Sequence, residues 1–324
     1  MLVLCAVSHF LVDALCITAV TASGGGLSAV LLYNTLAFSL QAAAGLLTDR
    51  LRHERLFAAL AMLLTAAGFF LPGAAQILCM GLGNSLFHVA AGSETIRRSG
   101  GTAWQLGVFV APGAFGVTLG SCFPRFGIPL AVMLALCAAG MLLCRDAPET
   151  GLRPAKKIPL TAVLLLTGAV AVRAVGGAAV SFPWKTGTGA AFLLTGFVFA
   201  GKALGGALCD RLGAEKTALL SVPAAALLTA FLPQSAVPSL LGQMLLNLTM
   251  PVTLWLLCRA MPDSPGFAFG LAASALWPGA IAGGLFRLTG PALWACVIVS
   301  FCFGIFAILY AVRILKKEER SVPL

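Results

Sequence analysis

Long apolar runs separated by short polar stops fill this chain almost from end to end. A membrane-crossing helix needs about 20 predominantly apolar residues to cover a hydrocarbon core of about 30 Å. Twelve runs read as such helices: 2–22, 27–48, 56–73, 75–96, 103–123, 126–144, 158–182, 188–209, 215–232, 236–258, 266–288 and 291–314. The third, sixth and ninth are the shortest. The connections are tight and built from Gly, Pro and Ser, as at residues 23–26 and at Pro72 and Gly73. The longest polar stretch, residues 145–157, carries Pro148, Pro154 and two lysines. It predicts an N-terminal bundle over 1–144, a linker over 145–157 and a C-terminal bundle over 158–324.

The two halves repeat each other. Gly45, Asp49, Arg50, Leu51, Glu54 and Arg55 recur at the same spacing as Gly206, Asp210, Arg211, Leu212, Glu215 and Lys216, 161 residues later in a chain of 324. Asn84 and Gly107 lie 23 residues apart, as do Asn247 and Gly270. Pro112, Gly113 and Ala114 are echoed by Pro278, Gly279 and Ala280. Self-similarity over half a chain marks a duplicated structural unit. The pattern predicts an all-α integral membrane fold of twelve transmembrane helices in two pseudo-symmetric six-helix bundles, related by an axis along the membrane normal, as in transporters made of parallel repeats.

Charge sets the orientation. Of 21 Lys and Arg residues, sixteen fall at one end of the spans and only Arg125, Lys185 and Arg287 at the other. By the positive-inside rule both termini and the linker are cytoplasmic, in a multi-pass protein of the plasma (inner) membrane. A net charge of +10 would suit nucleic acid on a polar domain, but here the basic residues flank apolar runs, and no nucleic-acid partner is expected. A composition of 60% hydrophobic and 10% charged residues, with a mean hydropathy of +0.99, excludes a soluble domain of this length. Met1 leads directly into a full span, so no removable signal is expected. The ten cysteines show no metal or redox spacing, and six of them (Cys5, Cys16, Cys79, Cys137, Cys296, Cys302) sit inside apolar runs. No cofactor, metal or disulfide is expected.

An ionisable side chain inside a span is a functional candidate, because burying it in lipid costs several kcal/mol. At 1.5 Å per residue Asp13 lies about 17 Å along the first span, His88 about 20 Å along the fourth, Arg173 about 22 Å along the seventh and Lys202 about 21 Å along the eighth. His9 and Asp13, at i and i+4, share a helix face and can exchange a proton. The N-terminal half thus offers acid and imidazole, with Glu94 deeper toward the cytoplasm, and the C-terminal half offers Arg173 and Lys202. Four blander readings compete: Asp13 as a structural ion pair with Arg173 or Lys202, His88 as a hydrogen-bonded helix-packing residue, Lys202 snorkelling or paired locally, and Glu94 as a salt bridge to Arg97. Asn34, Gln41, Asn84, Gln243 and Asn247 either line a cavity or bond between helices.

These motifs resemble the major facilitator superfamily, whose signature is a Gly-xxx-Asp-Arg loop between the second and third helices, often repeated between the eighth and ninth. Residues 45–55 and 206–216 are similar to it, the second copy keeping Gly213 where the first has Arg52. The fourth span, with Gly81, Gly83, Asn84, Phe87 and His88, resembles the fosmidomycin-resistance-type efflux branch. The fifth, with Gly107, Ala111, Pro112, Gly113, Phe115 and Gly116, is similar to the antiporter signature, with Ala111 and Phe115 in place of two glycines.

The resemblance implies a central cavity lined by helices one, four, seven and ten, which three of the four midplane charges should face. The expected function is a secondary active transporter of a small solute, proton-coupled, exporting an anionic or amphiphilic compound as an antiporter. Its partners are the solute, protons and the bilayer, and it acts as a monomer. Proton coupling falls to Asp13, His9 and Glu94, and solute binding to His88, Arg173, Lys202, Asn84 and Asn247. Gating falls to Gly45, Asp49, Arg50, Gly206, Asp210 and Arg211, and close helix packing to Gly107, Pro112, Gly113 and Gly116. An uncoupled facilitator or lipid flippase is the alternative. An intramembrane enzyme is a weaker one, since no nucleophile or metal-spacing motif accompanies His9, Asp13 and His88.

Overall fold

The computed structural model describes residues 1–24, 26–145, 158–285 and 288–320, so most of the expected linker and Arg287 lie outside the described residues. Twelve helical segments appear among the described residues. In the first half they are α1 (Leu2–Ala22), α2 (Gly26–Leu51), α3 (Glu54–Gly68), α4 (Gly73–Arg98), α5 (Trp104–Cys122) and α6 (Pro124–Leu143). In the second they are α7 (Leu160–Ala178), α8 (Gly187–Leu212), α9 (Ala214–Phe231), α10 (Ala236–Ala260), α11 (Pro265–Ser274 with Trp277–Leu285) and α12 (Gly290–Arg320). Eleven of these are long and apolar enough to cross a bilayer.

The exception corrects the expected third span. Helix α3 has 15 residues and stops at Gly68 rather than 73, tightening into turns that bond Phe70 N–H to Ala67 and Leu71 N–H to Gly68 before the break at Pro72. At the chain's end the deviation is in the other direction. Helix α12 runs six residues past the expected 314, its basic last turn suiting the negative end of the helix dipole. Its tail docks on the first turn of α9 and the last turn of α10, through Lys316 to Glu215 at 2.6 Å and Arg259 to Glu319.

Three spans are broken, two of them at proline. Pro112 has no N–H to continue the helix and starts the second piece of α5. Pro278 stands at the start of the second piece of α11. Helix α2 instead holds a π-helical turn at Thr35–Ser39, with no proline to announce it.

Within each half the helices pack in the same way: α5 on α1 and α3 on α4 are matched by α11 on α7 and α9 on α10. The halves meet along two seams, α2 against α11 and α5 against α8. Glycine sets both. A methyl group added at Gly107 would lie 2.6 Å from the Lys202 carbonyl oxygen, and one at Gly206 would strike the Ala103 backbone. On the other seam, Gly45 lies against Gly266 and Gly270 against Gln41 in the same manner. Gly107 and Gly270, equidistant from Asn84 and Asn247 in sequence, thus hold matching places on the two seams. Small residues allow this close approach where lipid provides no hydrophobic drive between helices.

Gly206→Val should therefore separate the halves at the α5–α8 seam, with an overpacking cost of about 1–3 kcal/mol. Gly196→Val on the same helix, where nothing lies within 4 Å of an added methyl, should be tolerated. Thermal unfolding of the two variants in detergent tests the contrast, and equal midpoints would refute it.

Candidate functional site

A cavity of about 330 Å³ lies between the halves, lined by α1, α2, α4 and α5 on one side and by α7, α8, α10 and α11 on the other. That volume falls within the ordinary range of small-molecule sites. All four midplane ionisable residues line it. Lys202 does so from α8, a helix outside the expected cavity set, because the glycine seam with α5 draws α8 into the wall. Most of the remaining lining is apolar, including Ile17, Val117, Val170, Leu254 and Leu276.

On the first-half wall the polar groups form one tight cluster. His9 Nε2 is 3.2 Å from Asp13 Oδ2, and His88 Nε2 is 3.5 Å from Asp13 Oδ1. The two Nε2 atoms lie 2.8 Å apart, with the rings nearly perpendicular. Asn84 donates its amide N–H to Asp13 Oδ1 at 3.0 Å. His9 Nδ1 is 2.8 Å from the Phe109 carbonyl, and His88 Nδ1 is 2.9 Å from the Asn84 carbonyl, so both rings are fixed from behind. Asp13 thus pairs with imidazole and amide rather than with Arg173 or Lys202. Gly113 and Gly116 make the room: a methyl at Gly113 would lie 2.5 Å from Asp13 Oδ2, and Gly116 lies against Phe10 and Ala14. The fifth-span glycines expected for helix packing therefore pack α5 directly on the cluster.

The second-half wall carries the cations. Arg173 donates from Nη1 to the Thr249 hydroxyl at 2.8 Å, which aims the guanidinium from α7 toward α10. Lys202 has no hydrogen bond or ion pair among the described residues, and faces the cavity.

Two other candidates lie off the cavity. Asn247 turns back to donate to the Gln243 carbonyl one turn earlier. Glu94 is buried and pairs with Arg98 at 2.7 Å, one residue beyond the expected Arg97, which instead pairs with Glu54 at 2.6 Å. The i+4 spacing puts Arg98 on the face of Glu94.

The repeated loop acids clamp the halves together at one end. Asp49 accepts from the backbone N–H groups of Gly266 and Phe267 at 2.8 and 2.7 Å, at the start of α11. Asp210 accepts from Ala103 and Trp104 at 2.8 and 2.9 Å, at the start of α5. Each acid caps a helix of the opposite half, where the free N–H groups and the helix dipole favour negative charge. Arg50 and Arg211, beside them, are exposed. Trp255 adds an indole N–H to the Gly101 carbonyl at 2.7 Å.

Several contributors have no signature in the pattern of spans and motifs. Ser274, in the break of α11, accepts from Ala42 N–H at 3.0 Å and donates to the Phe38 carbonyl at 2.9 Å, serving the backbone that the π-helical turn leaves open. Tyr33, Thr249 and Thr253 are likewise ordinary residues of apolar spans until the fold brings them to the charges.

No family model and no curated protein matches the sequence. Solved structures do match the fold. A variant of the E. coli fucose:proton symporter FucP aligns with a TM-score of 0.64, at 12% identity, over 95% of this chain and 97% of its own. FucP in the outward conformation, a Major Facilitator Superfamily transporter, aligns with a TM-score of 0.65, at 14% identity, over 96% and 98%. The protein has the fold of Major Facilitator Superfamily transporters, consistent with its twelve helices.

Neutralising either clamp should loosen the closed end. Asp49→Asn or Asp210→Asn presents an NH2 where the second oxygen accepts and removes the charge at the helix start, costing about 1 kcal/mol, roughly a fivefold shift between closed and open forms. Cys258 and Cys209, buried near the two acids, should then react faster with a water-soluble maleimide. Unchanged labelling in both variants would refute the clamp.

Proposed function

We propose that the protein is a proton-coupled secondary active transporter that moves an anionic or amphiphilic small solute by alternating access. One observation carries the reading: a carboxylate–imidazole cluster and two cations occupy opposite walls of one cavity between two duplicated bundles. Arg173 and Lys202 supply positive charge in a low-dielectric space, where it is worth far more than in water. The apolar remainder of the lining suits the hydrocarbon part of an amphiphile. The fourth-span resemblance to fosmidomycin-type exporters points to the same solute class. With the basic end in the cytoplasm, the Asp49 and Asp210 clamps hold the state sealed toward the cytoplasm, and their release lets the halves rock about the glycine seams.

Charge arrangement favours carrying the solute with the proton. A proton on the His9, Asp13 and His88 wall and an anion on the Arg173 and Lys202 wall attract each other across the cavity, so each promotes binding of the other. Exchange, the export mode implied by the fifth-span resemblance, requires instead that they occupy the cavity in turn.

A thermal-shift screen of organic carboxylates and phosphonates against quaternary ammonium ions tests the solute class. Anions should stabilise the wild type, by about 2.7 kcal/mol at a hundredfold excess over Kd, and Arg173→Ala should lose the effect. Stabilisation by the cations alone would overturn the reading. In liposomes the selected anion should follow an imposed proton gradient in wild type but not in Asp13→Asn. Movement with the proton marks symport, and movement against it marks exchange. Flux indifferent to the gradient would leave a facilitator.

A further inference from the structure

We infer that the transported proton is held between the two imidazoles of His9 and His88, with Asp13 serving as a fixed counter-charge rather than as the proton's seat. This rests on the reading of the cavity as a proton-coupled site and names the atoms that carry the proton.

The argument is one of hydrogen counting. A neutral imidazole has one N–H donor and one bare acceptor nitrogen. The Nδ1 atoms of His9 and His88 both face backbone carbonyl oxygens, at 2.8 and 2.9 Å. A carbonyl can only accept, so each Nδ1 carries its hydrogen. In the neutral state both Nε2 atoms are then bare. Yet these two atoms lie 2.8 Å apart, a hydrogen-bond distance at which two lone pairs repel. One additional proton resolves the conflict by turning the contact into N–H···N, an imidazolium donating to an imidazole. The pair as drawn is therefore a site for a single proton shared by two rings.

Asp13 fits the counter-charge role. Its two oxygens sit 3.2 Å from His9 Nε2 and 3.5 Å from His88 Nε2, beside the shared proton whichever ring holds it. Oδ1 also accepts from the Asn84 amide, as an ionised carboxylate does. Among the described residues no other acid lines the cavity. The remaining titratable groups facing it are Tyr33 from α2, Arg173 from α7 and Lys202 from α8. Of the helices packed on α1, α5 carries no charged side chain, while α6 carries only Arg125 and α3 only Glu54 and Arg55, each in its first turn. On α4, Glu94 lies beyond His88 and is held by Arg98.

The arrangement also couples proton to geometry. His9 belongs to α1 and His88 to α4, and the shared proton is what lets the two ring tips touch. When it leaves, the bare nitrogens must part, which widens the α1–α4 wall of the cavity. Proton release and reshaping of the solute wall are then one event. Gly113 restricts the direction of that movement, because α5 lies directly behind both His9 and Asp13.

The chain has three histidines, so ¹⁵N-imidazole labelling in lipid gives a spectrum of three rings, reduced to two by His53→Gln in the loop before α3. At the pH of pH-driven transport, both Nδ1 atoms should be protonated, and a single proton should be distributed over the two Nε2 atoms. It should titrate in one step sensed by both rings, while the Asp13 carboxyl, read by isotope-edited infrared, stays ionised. His9→Gln should abolish proton uptake by the purified protein and, with the proton's attraction gone, leave a weaker, pH-independent stabilisation by organic anions; His88→Gln should abolish proton uptake likewise. Asp13→Glu should keep the shared proton, and Asp13→Asn should lose it. Two bare Nε2 atoms, independent titration of the rings, or a protonated Asp13 would overturn the inference while pH-driven transport stands. Micromolar Zn²⁺ binding that fixes both Nε2 signals in place of the proton would overturn it in favour of a metal site. Transport indifferent to pH would instead remove the functional reading beneath it.

Discussion

Hydrocarbon offers no hydrogen bonds, and this constraint organises the molecule. Every ionisable group inside a span must find a partner in the protein or face an aqueous cavity, or else cost several kcal/mol. Asp13, His9, His88, Arg173 and Lys202 leave only one arrangement open: the helices bearing them must turn these faces inward, together. The cavity is thus as much a requirement of the buried charges as it is a space available to a solute. Their fixed partners follow from the same constraint. The Phe109 and Asn84 carbonyls, the Asn84 amide and the Thr249 hydroxyl each satisfy a group that lipid could not.

On the proposed alternating-access reading, the seams between halves answer a different demand, that two bundles touch closely yet separate. Glycine on glycine gives contact without interlocking side chains, as at Gly45 with Gly266 and Gly206 with the Ala103 backbone. Among the described residues most of the bonds that cross these seams sit at helix ends or breaks, Thr118 to Thr195 at 2.6 Å between α5 and α8 being an exception. Asp49 and Asp210 bind N–H groups that a helix start leaves free, and Ser274 bonds the backbone that the turn at Thr35–Ser39 leaves free. Such partners suit a seam that opens, since water can replace them at an exposed helix end without breaking either helix.

Much of this was legible because lipid enforces simple rules. Span length, loop brevity and the repeat were enough to predict the twelve-helix duplicated fold, and midplane depth picked out the cavity charges. Local detail escaped where the deciding contact comes from another helix. The π-helical turn in α2 has no proline or glycine to mark it, since Ser274 from α11 serves its open backbone. Spacing alone could not choose between Arg97 and Arg98 for Glu94, because Glu54 from α3 takes the first. The depth of Lys202 was plain, but its access to the cavity depends on how far Gly107 lets α8 approach α5.

Asn247 shows what duplication conserved and what it did not. Gly113 packs on the side chains of His9 and Asp13 in the first half, whereas Gly279 packs on the Ala174 backbone and methyl in the second. Asn84 and Asn247 match in their distance to the seam glycines, but only Asn84 has an acid to bond. Without one, Asn247 turns to its own helix. Four residues further along, His88 in the first half corresponds to Pro251 in the second. The carboxylate–imidazole cluster thus belongs to one repeat, while Arg173 on α7 puts a cation on the opposite wall. On the proposed alternating-access reading, seams and clamps match because both halves rock against each other. The cavity walls diverged because two opposite charges can be held apart, and made to influence one another, only if the walls are different.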